Sequence, residues 1–364
     1  FMPAQILAMD SAQKDKPEKF LVIGPSWVGD MVMAQVLFRR LKANFDDCSI
    51  SVLAPDWTRP LLERMPEVED SIASTTQRGQ LGLGARRTLG LSLREQEFTT
   101  AYVLPNSFKS ALIPFHARIP RRIAWRGEFR GLLLTDSRVL KKDIYPLMVQ
   151  RFAALAEPAG SKPPTEILDP RLSIDPETLS STRNKFQLSI ENRILAICPG
   201  AEFGTSKQWP AKHFASSCKS LIADGWRVWI FGSANDEAMA ASILQEMNDA
   251  EQQACENLCG KTSLAEAIDL LSLTDVVISN DSGLMHIAAA LDIPVVALYG
   301  STSPDFTPPR AEKVKLLSTN IECRPCFKRE CPLGHQKCLQ DLEPELAISA
   351  VNELREEKQS RDLV

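Results

Sequence analysis

The chain has 364 residues, of which 44% are hydrophobic and 24% charged, with a formal net charge of −4. That length suits about two domains of roughly 150 residues, enough to fold without a disulfide framework, and the ordinary composition excludes disorder, collagen and coiled coil as global descriptions. The longest run free of Asp, Glu, Lys and Arg covers 12 residues, 293–304, short of the ~20 apolar residues of a membrane-spanning helix, and a mildly acidic total gives no general pull towards nucleic acid.

Residues 1–18 lack a basic stretch followed by an apolar one, so no secretory leader is expected and they are set aside from fold reasoning. Short apolar runs at 20–23, 50–53 and 101–104 each lead into Gly-Pro, Pro or Pro. A second set lies at 194–198, 228–231, 276–279 and 295–299. Runs apolar on both faces suit central parallel strands. Helices are expected at 28–44, 212–223, 234–247, 264–273 and 283–291. In the second of these, Phe214, Cys218, Leu221 and Ile222 fall at helical spacing. Residues 79–90, with four glycines and Arg86 and Arg87, suggest a flexible loop. Residues 158–192, with Pro158, Pro163, Pro164, Pro170 and Pro176, suggest a linker and an entry helix over 176–187.

The expected fold is therefore α/β, with two doubly wound Rossmann-like units around a cleft. Their bounds are 19–175 and 176–340, with 341–364 as a terminal helix packing back or a tail. Ligands in such sheets bind at the carboxyl ends of the strands, and three motifs fall there. In Gly24-Pro25-Ser26-Trp27-Val28-Gly29-Asp30 the middle glycine of a dinucleotide loop is missing, so that reading is rejected. Asp30 either favours its helix dipole or accepts a proton in the cleft. Lys207, in the loop from Pro199 to Pro210, is either solvated or a point charge for a diphosphate. Asn280-Asp281-Ser282-Gly283-Leu284-Met285-His286 offers an N-cap at Asp281 or Ser282 and helix N–H groups for a phosphate.

Two further features stand apart. Residues 108–151 carry ten Lys and Arg against Glu128, Asp136 and Asp143, a net +7 inside a chain of −4. An anionic partner, phosphate groups or a membrane face, suits that asymmetry. No nucleic-acid module is present, so DNA and RNA are discounted. Four of the nine cysteines, Cys323, Cys326, Cys331 and Cys338, fall within 16 residues, with His335 among them. A structural zinc, paired thiols and free thiols all remain open, and the cluster is expected to lie away from the chemistry. The other cysteines are scattered, which favours a reducing cytoplasm. No Asp-x-Asp, Walker A, H-E-x-x-H or G-x-S-x-G motif occurs.

Several long motifs together carry a resemblance. They are 24–31 (GPSWVGDM), 104–112 (LPNSFKSAL), 199–204 (PGAEFG), 207–210 (KQWP), 280–286 (NDSGLMH) and 303–309 (SPDFTPP). Over residues 19–355 the chain resembles the glycosyltransferase family of bacterial inner-core heptosyltransferases. That resemblance implies a GT-B fold and an inverting, metal-independent transfer from ADP-L-glycero-β-D-manno-heptose. The implied acceptor is the first heptose of heptosyl-Kdo2-lipid A, used at the cytoplasmic face of the inner membrane in a Gram-negative cell. It implies Asp30 as base, and Lys207, Asp281, Ser282, Gly283, Leu284 and His286 around the donor, with Asp236 near its ribose. Asn106, Lys109, Arg122 and Arg126 are expected on the acceptor side. Two other readings are a nucleotide-sugar epimerase of the same fold and a non-catalytic two-domain binding protein.

Overall fold

The apolar runs form the inner strands of two separate sheets. The computed structural model describes residues 17–74 and 80–362. Most of the N-terminal segment judged for a leader, and Gly79 of the glycine-rich stretch, lie outside them. The first half contains β1 (Glu18–Ile23), α1 (Val28–Asn44), β2 (Cys48–Ala54), α2 (Arg59–Leu62), β3 (Asp70–Ala73), α3 (Leu83–Ser92), β4 (Thr100–Val103), α4 (Phe108–His116), β5 (Arg121–Trp125), β6 (Asp136–Arg138) and α5 (Met148–Ala153). The second contains α6 (Pro176–Phe186), β7 (Ile194–Cys198), α7 (Ala211–Ala223), β8 (Arg227–Ile230), α8 (Glu237–Gln245), α9 (Asp249–Gln253), β9 (Cys255–Asn257), α10 (Leu264–Leu271), β10 (Val276–Asn280), α11 (Gly283–Ala290), β11 (Val295–Leu298), β12 (Val314–Leu317), α12 (Lys337–Gln340) and α13 (Pro344–Asp362).

Each half builds a six-stranded sheet. The orders are β3-β2-β1-β4-β5-β6 and β12-β11-β10-β7-β8-β9, with parallel pairing between neighbours. The winding reverses between β1 and β4 in one sheet and between β7 and β10 in the other. Such switch points open a crevice at the carboxyl ends of the strands, and the loops that leave these four strands carry the motifs singled out above.

The glycine-rich stretch differs from expectation. Residues 83–92 are helix α3, not a flexible loop. Gly82 takes φ +53° just before the helix, and Arg86 is buried with its Nε donating to Leu81 O at 2.8 Å. A Cβ on Gly90 would stand 2.6 Å from His116 Cβ and 2.7 Å from Ile113 O. That glycine therefore serves close packing against α4 rather than freedom. Helix α8 is also shorter than expected, because a 3₁₀ turn at Ala234–Asp236 precedes it. The linker follows expectation: Asp175 caps α6 through Glu177 N at 2.8 Å. It also threads between the halves, with Ser173 N on Arg64 O and Leu172 N on Ala290 O. Helix α13 packs onto the second half, where Ala347, Val351 and Leu354 join the core with Trp209 and Phe214.

One buried ion pair ties the halves together. Arg64 Nη2 lies 2.8 Å from Asp269 Oδ1, with both side chains nearly inaccessible. Asp269→Leu strands the Arg64 charge at this seam, so unfolding in urea should show a loss of about 3–5 kcal/mol. The Arg64→Met/Asp269→Leu pair should recover most of it, because two apolar groups leave no lone charge behind.

Candidate active site

The two switch points face each other. Asp30 sits at the third position of α1, half-buried, directly after the β1 turn. The α11 N-terminus approaches from the other half. A Cβ on Gly29 would lie 2.9 Å from His286 Cδ2, and one on Gly283 would lie 2.9 Å from Val28 Cβ. These two glycines let a helix start from each half come together, which brings Asp30 to the donor-side residues. The sequence motifs contain both glycines, but their pairing is visible only in space.

Lys207 is held for this encounter. It ends a 3₁₀ turn, Thr205–Lys207. Fully buried Trp209 anchors the following chain, its N bound to Asn280 Oδ1 at 3.1 Å and its Nε1 to Leu342 O at 2.8 Å. Asn280 in turn donates to Pro199 O at 2.7 Å. Lys207 Nζ meets Asp281 Oδ2 at 2.6 Å and lies 4.9 Å from the centre of the Phe203 ring. Thr302 Oγ1 donates to the same Asp281 oxygen at 2.6 Å. Asp281 therefore does not cap α11. The cap position is Ser282, but its hydroxyl bonds Ser279 Oγ at 3.1 Å, and no side chain caps the helix. The first N–H groups of α11 at Gly283 and Leu284 thus stay available to a ligand.

Electrostatics sort the titratable groups. Burial pushes the Asp30 carboxyl up to about 6, while Lys207 pulls it down and Asp281 pushes it up. Burial holds His286 down at about 4, so its imidazole is neutral near pH 7. Asp236 lies in the loop after β8. Its Oδ2 accepts from Ser233 N and Oγ, both at 2.8 Å, and its carboxylate lies so close to Gly200 that a Cβ there would be 2.5 Å away. It therefore borders the loop that leads to Lys207.

The acceptor-side residues divide. Asn106 and Lys109 leave β4 beside β1, at the switch point. Lys109 Nζ reaches Gln80 O at 3.3 Å. Arg126 is exposed. Arg122 is directed inwards: its Nε holds Leu133 O at 2.7 Å and its Nη1 holds Ile119 O. Much of the basic stretch likewise serves backbone carbonyls or ion pairs, as Arg138 does with Asp136 and Arg151 with Tyr145 O. His116 is half-buried, and neighbouring Phe115 is 42% exposed. Sequence reasoning missed Arg130, which is fully buried and binds Asn106 Oδ1 at 3.0 Å. Its position in a run of arginines gave no signal of burial.

The cysteine segment is not remote. Ser206 N donates to Arg329 O at 3.1 Å, and Ser206 Oγ bonds Ser301 Oγ at 2.9 Å. Gly204 has φ +152°, and a Cβ there would sit 2.3 Å from Arg329 O. The segment thus braces the turn that ends in Lys207. Cys323, Cys326, Cys331 and Cys338 line one cavity together with Ser206, Ser301 and His335. All four are free thiols. The Gln336 N–H, 3.4 Å from the Cys331 sulfur, and neighbouring N–H groups hold that thiol below its ordinary value. Among the described residues no group of three or more His, Cys, Asp or Glu side chains is arranged to hold a metal ion. The thiols converge without forming a coordination shell.

Two parallel six-stranded sheets, with a carboxylate on one rim and a lysine and helix N-terminus on the other, form the two facing Rossmann-like units of a GT-B fold. Comparison with known proteins gives the family: glycosyltransferase family 9 (heptosyltransferase) matches residues 86–337, and the chain belongs to it. It is 47% identical over 345 residues to lipopolysaccharide heptosyltransferase 2 of Salmonella typhimurium, covering 93% of this chain and 99% of that protein. It is 47% identical over 341 residues to the Escherichia coli K12 protein of the same name, covering 92% and 98%. The solved structure of E. coli ADP-heptose lps heptosyltransferase II superposes with a TM-score of 0.85 at 45% identity, over 94% of this chain and 99% of that one.

Proposed function

We propose that this enzyme transfers L-glycero-D-manno-heptose from ADP-heptose, with inversion, to the first heptose of heptosyl-Kdo2-lipid A. The observation that carries the mechanism is a single juxtaposition. A half-buried carboxylate, Asp30, faces Lys207 and the open start of α11 across the cleft. Glycosyl transfer passes through an oxocarbenium-like state and needs a base on the attacking hydroxyl. Asp30, with its pKa raised towards neutrality, is matched to that task. Departing ADP gains charge, which Lys207 and the N–H groups of Gly283 and Leu284 can stabilise. Asp281 orients Lys207 and borders the donor sugar, and His286 stays neutral beneath both. Asp236 is assigned to the ribose, and Asn106, Lys109 and Arg126 to the acceptor. Names and full-length similarity of the relatives support the substrates, and among the described residues no helix is long and apolar enough to cross a membrane. On this reading the enzyme works at the cytoplasmic face of the inner membrane, where it meets its lipid-borne acceptor.

The deciding experiment incubates the protein with ADP-heptose and a truncated core acceptor. Release of ADP together with a heptosylated product is expected. ADP-heptose consumed without transfer would favour an epimerase, and binding without turnover a non-catalytic protein.

The four cysteines are proposed as a structural brace for the Lys207 turn. Cys326→Ser should lower the thermal midpoint, and metal analysis of the reduced protein separates a zinc equivalent from less than about a tenth of one.

A further inference from the structure

Two apolar side chains stand almost wholly in solvent beside the acceptor side. Phe129 is 101% exposed and Leu132 94%. They belong to the segment after β5, and that segment is firmly held. Glu128 and Phe129 both adopt left-handed φ, 42° and 54°, a conformation that a bulky residue takes only where its surroundings impose it. The anchor is Arg130. Its Nη1 donates to Pro105 O, to Ser107 O at 3.1 Å and to Ser110 Oγ at 3.0 Å. Its Nη2 donates to Asn106 Oδ1 at 3.0 Å and Trp125 O at 2.8 Å. Glu128 Oε2 accepts from Phe108 N at 2.7 Å, fixing the turn to the start of α4. A clamped turn that directs a Phe and a Leu outwards is a built feature, and exposed apolar groups of this kind mark interaction sites.

The surroundings identify the partner. Arg126, Lys141 and Lys142, which follow the carboxyl ends of β5 and β6, are exposed, and Glu128 and Asp143 are the exposed acids among them. The Arg126 N–H donates to Arg138 O at 2.6 Å, which sets the chain bearing Val139, Lys141 and Lys142 alongside. Val139 is itself 59% exposed. An apolar tip with exposed cations on the adjoining chain suits an anionic bilayer, where the cations stay among headgroups and the tip enters the acyl boundary. A second copy of the chain fits badly, because a two-fold contact would set like charges against each other.

We propose that the turn from Phe129 to Leu132 is a membrane-docking tip, which inserts both side chains into an anionic lipid surface. Its place in the fold gives the reason. The tip leaves the carboxyl end of β5, on the same sheet rim as Asp30 after β1, and β5 is two strands from β1, about 10 Å at ordinary strand spacing. A bilayer seated there brings a lipid-borne sugar to the cleft. The inference rests on the proposed acceptor for its purpose, but docking is measurable without any acceptor.

The test uses the full chain with vesicles of phosphatidylethanolamine and phosphatidylglycerol at fixed salt. Phe129→Ser/Leu132→Ser should weaken co-sedimentation at least about tenfold, as expected for two apolar side chains withheld from lipid. Vesicles without phosphatidylglycerol should bind the parent chain more weakly. Transfer to a water-soluble truncated acceptor should be equal in parent and variant. Equal vesicle binding by the two proteins would overturn the proposal. So would a parent dimer in sedimentation velocity that the double substitution dissociates, since it would assign the tip to a second copy. A failed transfer assay in both proteins would instead sink the proposed substrates and leave the vesicle result standing.

Discussion

Asp30→Asn is expected to lower kcat by about 10²–10⁴-fold while leaving ADP affinity nearly intact. The substitution keeps size and removes basicity. Asp30 also sits in the first turn of α1, where a carboxylate favours the helix dipole by about 0.3–1 kcal/mol, so a purely structural role is the competing idea. The geometry weighs against it. The cap position is Trp27, and no side chain caps α1. An Asn there loses no cap, so a helix role predicts near-normal turnover. The pH profile gives a second measurement. The carboxylate is the active form and burial raises its pKa to about 6. Activity should therefore fall as pH drops through about 6 and level off above it. The Asn variant should lose that acid limb. Near-normal turnover with an unchanged limb would remove Asp30 from the chemistry.

The fold was legible where strands are apolar on both faces. Helix 28–44 and strand 194–198 match the structure at both ends. The strands that went unseen are short, polar or at the edge. Asp70–Ala73, Asp136–Arg138 and Cys255–Asn257 each have one covered face or lie outermost, so no apolar run marks them. Arg121–Trp125 opens on two arginines and looks like part of a basic surface, yet it is a strand between β4 and β6. The donor loops were legible because they follow central strands. The brace on Lys207 was not. It joins Ser206 to Arg329, more than a hundred residues apart, through a backbone carbonyl that any residue could supply. A charge count is blind to burial for a related reason. A count cannot tell exposed Arg126 from fully buried Arg130, because burial depends on which carbonyls the fold assembles around a guanidinium.

Lys207→Met should lower kcat by about 10²–10³-fold, the usual cost of removing one preorganised group from a developing charge. It should also move the acid limb. The Lys207 charge pulls the Asp30 carboxyl down, so its removal lets that pKa rise, and the fall in activity should begin at a higher pH. Lys207→Arg keeps the charge and should keep the limb in place, with a smaller loss of rate from its different geometry. The rival account makes Lys207 only the counter-ion of buried Asp281, 2.6 Å away. On that account the loss comes from a stranded carboxylate, and Lys207→Met/Asp281→Asn should regain activity because neither charge is left alone. If Lys207 meets the diphosphate, the double variant stays as slow as Lys207→Met or slower, and calorimetry shows weakened ADP binding in both. Recovery of turnover in the double variant, with ADP affinity equal to the parent's, would assign Lys207 to the ion pair alone.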